Sequence, residues 1–156
     1  MAKTLNDLLE MAIQDEITSQ KFYLDGCSKT NDKTIHSFLT SLANDEKEHE
    51  RVLKGVLEME IYDGSITVGA EFLEKGSGAH VTEGDEISAK LTLDQVFEIA
   101  LKKETKAYLV YSHIADNLDD DELKKLFSGL AEQEQFHYKK IEQKFHARTG
   151  QMGYEG

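Results

Sequence analysis

The sequence has no proline, no tryptophan and a single cysteine, Cys27. Without proline, no helix is interrupted by a missing amide donor, and the wealth of Glu, Lys, Leu and Ala favours long helices. One cysteine excludes an intrachain disulfide and any metal cluster built from cysteine alone. Its simplest place is that of a small, half-buried residue on the first helix. Basic residues are also scarce: 18 Lys and Arg stand against 30 Asp and Glu, leaving a net charge of −12. That balance argues against nucleic acid and against an anionic membrane surface as partners. No apolar run approaches the roughly 18–20 residues of a membrane span. The opening residues, Met-Ala-Lys-Thr-Leu-Asn-Asp, lack the apolar core of a signal peptide. The expectation is a cytoplasmic protein with no membrane contact. A chain of 156 residues is long enough for one domain with its own core, and a single domain over 1–156 is expected.

What is present is helical periodicity in four stretches. Thr4 is a candidate N-cap, with Asp7 three residues on. Leu5, Leu8, Leu9, Ala12, Ile13, Glu16, Gln20 and Tyr23 then recur at helical spacing. Asn31 and Asp32 start a second helix whose face is Ile35, Phe38, Leu39, Leu42, Glu46, His49, Leu53, Val56 and Leu57. Thr92 and Gln95 form a capping box before a third, with Leu93, Val96, Phe97, Ala100, Glu104, Ala107, Tyr111, Ile114 and Leu118 on one side. The acidic run Asp119 to Glu122 suits the positive end of a fourth, whose inner face is Leu123, Leu126, Phe127, Leu130, Glu134, His137, Ile141 and Phe145. The expected helices cover about 4–29, 32–59, 92–118 and 120–149, with Gly150 as the natural stop. Residues 61–91 are broken by Gly64, Gly69, Gly76, Gly78 and Gly84, with room for a short helix near Ala70–Lys75. So long a connection needs a role, and a crossover along a bundle is the simplest. The fold class expected is all-α: a four-helix bundle of two hairpins joined by this crossover. A homodimer is the expected assembly, with exchange of hairpins between two chains as the alternative arrangement.

Shifted by 88 residues, the chain matches itself. Thr4 falls on Thr92, Ala12 on Ala100, Glu16 on Glu104, Tyr23 on Tyr111, Leu42 on Leu130, Glu46 on Glu134 and His49 on His137. In each half a lone Glu precedes a Glu-x-x-His pair by 30 residues. Three residues is just under one helical turn, so the Glu and His of each pair share a face. That face is otherwise apolar.

Four carboxylates on core-facing stripes need compensation, because an unpaired buried charge costs several kcal/mol even after relaxation. The inner faces near these positions offer no Lys or Arg by periodicity. Two divalent cations would balance Glu16, Glu46, Glu104 and Glu134, with His49 and His137 as neutral nitrogen donors. This oxygen and nitrogen set suits iron or manganese, or a mixed pair, better than a thiolate-preferring metal. It matches the dinuclear carboxylate arrangement known in helical bundles. A single Glu-x-x-His on a helix is usually a surface accident; two in register, each with an upstream Glu, are not. Glu10, Glu48, Glu50, Glu132, Glu142, Asp15 and Asp45 project elsewhere and read as solvated. His36, His80, His113 and His146 lack a Glu in register. Tyr23 and Tyr111 lie two turns after a Glu on the same face, and each hydroxyl is expected to reach a carboxylate of the facing hairpin.

These residues resemble the rubrerythrin branch of the ferritin-like family. The resemblance rests on Ala12-x3-Glu16-x5-Phe22-Tyr23, Leu42-Ala43-x2-Glu46-x2-His49, Ala100-x3-Glu104-x6-Tyr111 and Leu130-Ala131-x2-Glu134-x2-His137. It covers both hairpins, most of the chain outside 61–91. It implies a ferritin-like bundle holding two irons, with Glu46 and Glu134 bridging, Glu16 and Glu104 terminal, and one histidine per metal. It also implies reduction of hydrogen peroxide, or oxidation of ferrous iron by oxygen or peroxide. Typical rubrerythrins carry a further glutamate one turn after the third-helix ligand; here that place is Ala107, and its mate in the first helix is Ser19. A more symmetric centre is therefore expected, as in bacterioferritin-type sites. The four-cysteine iron domain that often feeds electrons to such a centre has no counterpart with only Cys27, so an external electron donor protein is expected. The competing expectations are a ferroxidase or iron-binding protein, and a metal-binding helical bundle without catalysis.

Overall fold

The computed structural model describes residues 4–59 and 91–149, with side chains as far as 147. The 61–91 crossover, the short helix at Ala70–Lys75 and the stop at Gly150 lie outside the described residues, apart from Leu91. Among those described there are four α-helices and no strand. They are α1 (Leu5–Gly26), α2 (Lys33–Glu58), α3 (Leu93–Asn117) and α4 (Asp121–Thr149). A single 3-10 turn, Cys27–Lys29, follows α1. No described helix is long and apolar enough to cross a membrane.

Each helix starts where a polar side chain takes up its free amides. Thr4 and Asp7 form a reciprocal capping box, with both bonds at 3.1 Å. Asp32 accepts from the amides of Thr34 and Ile35 at the head of α2. Thr92 and Gln95 repeat the capping box at α3. The Asp120 carboxylate accepts from the Leu123 amide at α4. At the other end of α1, Gly26 permits close packing: a Cβ there would stand 3.2 Å from Val96 Cγ1 and 3.4 Å from Leu39 Cδ1.

The helices pair as two hairpins, α1 with α2 and α3 with α4, and α1 meets α3 across the bundle. Two apolar clusters result. One joins Leu5, Leu8 and Leu9 of α1 to Leu53, Ile114, Phe127 and their neighbours. The other joins Phe22 and Tyr23 to Leu39, Val96, Phe97 and Ile141 at the opposite end. Both flank one polar layer at mid-bundle. Fully burying a large apolar side chain contributes about 1.5–3 kcal/mol, so the clusters supply the stability that lets the layer between them be polar.

Candidate metal centre

The polar layer consists of Glu16 on α1, Glu46 and His49 on α2, Glu104 on α3, and Glu134 and His137 on α4. All six are buried, and Glu134 is 0% exposed. Each projects inward because helical spacing places it on its helix's apolar stripe.

The six side chains fall into two overlapping quartets. Glu16, Glu46, His49 and Glu134 bring one donor atom each within 4.8 Å of the others, and so do Glu46, Glu104, Glu134 and His137. Glu46 and Glu134 belong to both. The histidines turn Nδ1 toward the carboxylates. His49 Nδ1 lies 3.4 Å from Glu16 Oε2 and from Glu46 Oε1, and 3.6 Å from Glu134 Oε1. His137 Nδ1 lies 3.1 Å from Glu134 Oε1 and 3.4 Å from Glu46 Oε1 and Glu104 Oε1. The two rings stack with centroids 6.1 Å apart.

Burial pushes both shared carboxyls up. Glu46 rises well above the usual carboxylate range, through desolvation and then repulsion by Glu134 and Glu16. Glu134 rises to about 8, by desolvation and then the charges of Glu104 and Glu16. For His49, burial opposes the charged form, but the adjacent Glu16 and the Glu134 charge outweigh it and lift the imidazole to about 9. His137 is lifted in the same direction; burial opposes it, and Glu104, Glu134 and Glu46 overcome that opposition. Glu46, Glu134 and the two imidazoles therefore hold protons more tightly than they would in water.

A surrounding set of hydrogen bonds fixes the layer. The Tyr23 hydroxyl donates to Glu104 Oε2 and the Tyr111 hydroxyl to Glu16 Oε2, each across to the other hairpin. Burial first, and then nearby carboxylates, raise both phenols well above their ordinary value, so they stay protonated as donors. The outer nitrogens of the histidines are also held. His49 Nε2 bonds to Gln133 Oε1, and His137 Nε2 bonds to Asp45 Oδ2 at 3.0 Å.

The sequence reading differs from this geometry in two places. Asp45 is half-exposed as expected of a solvated residue, yet its carboxylate reaches back to His137. Gln133 carries no role that helical periodicity predicts. A signal exists for both: each stands immediately before the Glu of a Glu-x-x-His pair, at equivalent places in the repeat. Lysines also approach the layer, contrary to the expectation of none. Lys103 and Lys106 are 8% exposed, beside Glu104 on α3. Lys106 Nζ pairs with Asp15 at 2.7 Å. Lys103 lies over the Phe22 ring, and desolvation lowers its ammonium to about 8. Both line a cavity of about 20 Å³ that also touches Ser19, Ala107, Tyr111, Glu16 and Glu46. Elsewhere the surface readings agree with the structure. Glu48 pairs with Arg51, and Glu50 with Lys54 and Gln20. His36, His113 and His146 join neither quartet, and Cys27 is a half-buried free thiol; His80 lies outside the described residues.

A metal fits this site on the chemistry of its unpaired atoms. Glu16 Oε1, Glu46 Oε1, Glu104 Oε1, both oxygens of Glu134, and Nδ1 of His49 and His137 are buried without a hydrogen-bond partner. Buried polar groups are seldom left so. These seven atoms all belong to the two quartets, as donors around two cations would. Each quartet could hold one divalent ion, with three carboxylates and one imidazole.

Comparison with known proteins agrees. The Rubrerythrin family model matches residues 7–144. A hypothetical protein from Pyrococcus furiosus is similar at 25% identity and a TM-score of 0.73, over 92% of this chain and 89% of that one. A crystal structure from Thermotoga maritima, described as that of a ferritin-like diiron-carboxylate protein, shares the fold. It has 24% identity and a TM-score of 0.78, over 92% of this chain and 95% of that one. No curated protein matches the chain. With a family model spanning both hairpins and a buried carboxylate and histidine cluster at its centre, the chain belongs to the Rubrerythrin family and folds as a ferritin-like four-helix bundle.

Proposed function

We propose that this protein is a di-iron oxidoreductase that reduces hydrogen peroxide or dioxygen. The observation that carries the reading is the pair of buried carboxylates, Glu46 and Glu134, common to two histidine-terminated quartets. Shared carboxylates suit two ions close together. In this reading Glu46 and Glu134 would serve both ions, Glu16 and His49 would complete the set for one, and Glu104 and His137 for the other. Manganese or a mixed pair satisfies the same donors. Two ferrous ions held there would supply one electron each, the two that cleavage of one peroxide O–O bond requires.

The chain's own residues account for the rest. Tyr23 and Tyr111 donate to Oε2 of Glu104 and Glu16, which fixes both carboxylates and leaves each Oε1 buried without a hydrogen-bond partner. The apolar clusters on either side exclude bulk water. The cavity bounded by Ser19 and Ala107 reaches Glu16 and Glu46, and its 20 Å³ has room for about one water-sized molecule. A cavity of that size favours a small oxidant over a bulky organic substrate beside these carboxylates. An external donor protein, in the cytoplasm, would return the electrons.

A ferroxidase is the second reading, favoured by one observation. Ala107 and Ser19 line the cavity where typical rubrerythrins carry an additional carboxylate, and neither supplies one. Steady-state peroxide consumption with an electron donor separates the two. Sustained turnover supports the oxidoreductase; oxidation that stops once the added ferrous iron is spent supports the ferroxidase.

A further inference from the structure

The two halves of the centre are built from equivalent residues. Glu16 answers Glu104, Glu46 answers Glu134, His49 answers His137 and Tyr23 answers Tyr111, all at one offset of 88. The tyrosine bonds are reciprocal. The bonds to the outer histidine nitrogens are reciprocal too, but their acceptors differ. At the same place in the repeat, one half has Asp45 and the other Gln133. His137 Nε2–H donates to a carboxylate, whereas His49 Nε2–H donates to a neutral amide.

We propose that Asp45 and Gln133 make the two metal positions inequivalent, so that the position served by His137 takes the first divalent cation and the position served by His49 takes the second. The inference rests on the metal-site reading above. A hydrogen bond to an ionised acceptor is roughly twice as strong as one between neutral groups. It pulls the Nε2 proton outward and makes Nδ1 the better donor toward the metal. Asp45 also adds a negative charge on that side. Outer partners of this kind typically change metal affinity by about 10–100-fold. Asp45 is 52% exposed, and solvent screens its charge, so the lower end of that range, about tenfold, is expected. Lys103 works in the other direction, because it interacts with Glu104 of the His137 position as well as with the shared Glu46. Its ammonium, however, is parked over the Phe22 ring, while Asp45 bonds directly to a histidine of the quartet. Asp45 and Gln133 are thus positioning residues: they act through the imidazoles they hold.

A two-step binding curve cannot test this, since two cations sharing Glu46 and Glu134 repel each other and bind in two steps even at a symmetric site. The test is which position fills first. Apo-protein is crystallised with one equivalent of Co(II), and the anomalous signal gives the occupancy of each position. The expected ratio is about 10:1 in favour of the His137 position. Asp45→Asn should bring it near 1:1, and the double variant Asp45→Gln/Gln133→Glu should reverse it. Both residues lie on the solvent side of their helices, and unchanged circular dichroism and thermal melting would show that the variants fold. Equal occupancy in the unsubstituted protein, or a ratio that ignores the double variant, would overturn the inference and leave the metal site standing. Failure to bind cobalt at either position would overturn the metal-site reading and the inference together.

Discussion

Loading the apo-protein with metal should release protons, and the structure says how many. Four buried carboxylates and two neutral imidazoles would carry a charge of −4 in a layer with almost no solvent. The nearest cations do not remove it: Lys106 is engaged with Asp15 and Lys103 lies over Phe22. Neutrality therefore requires about four protons, because uncompensated buried charge costs several kcal/mol per group. The directions of the individual groups agree. Glu46 is pushed well up, Glu134 to about 8 and His49 to about 9, and His137 is raised as well. At pH 7 Glu134 and His49 each hold a proton that a divalent cation must displace, and Glu46 and His137 are shifted in the direction that retains one. Two cations should release about four protons per chain. Well above pH 9 Glu134 and His49 have already lost theirs, so release should fall by about two. Calorimetric titration with Co(II) in buffers of different ionisation enthalpy measures this number directly. Release of less than about one proton at pH 7 would mean that the carboxylates ionise as they do in water. The electrostatic account of the layer would then be wrong.

The same groups make apo-protein stability depend on pH. His49 rises from 6.5 to about 9 and Glu134 from 4.5 to about 8, so the folded state binds these protons more tightly than the unfolded chain. Their contribution is full below the unfolded values and is lost as pH rises through the folded ones; the melting temperature of the apo-protein should fall between pH 5 and 9, by on the order of 10 °C. Metal-loaded protein should show no such slope, and a flat apo profile would count against buried protonated carboxyls. Tyr111→Phe leaves Glu16 Oε2 without its donor, and Tyr23→Phe does the same to Glu104. Each should cost about 1–3 kcal/mol in urea unfolding, and a loss below about 0.5 kcal/mol would show that water replaces the hydroxyl. Ala107→Leu fills the cavity beside Glu16 and Glu46. It should slow oxidation of the ferrous protein by peroxide several-fold while metal content stays unchanged; an unaltered rate would place the access route elsewhere.

Much of the centre was legible because helical periodicity and an internal repeat reinforced each other. A lone Glu16 on an apolar stripe is ambiguous, but Glu104 at the same offset as two Glu-x-x-His pairs is not. The cross-hairpin reach of Tyr23 and Tyr111 followed from two turns of helix and the need of a buried hydroxyl for a partner. Capping residues Thr4, Asp32 and Thr92 announced three of the helix starts. Periodicity was silent where a side chain leaves the direction of its own stripe. Asp45 and Gln133 sit on the outer edge of their helices, and only the approach of the facing hairpin turns them toward a histidine. Lys103 and Lys106 escaped notice for a related reason. A long aliphatic stem can be buried while its ammonium finds Phe22 or Asp15, and no spacing rule records that.

The proposed function requires that these six side chains hold two metal ions. Elemental analysis of protein loaded anaerobically with ferrous iron, beside Glu46→Ala and Glu134→Ala, tests it most directly. The account predicts two irons per chain in the unsubstituted protein and loss of the paired site in either variant, since each removes a carboxylate that both quartets share. Absence of iron after loading, or two irons retained when Glu46 or Glu134 is removed, would contradict it.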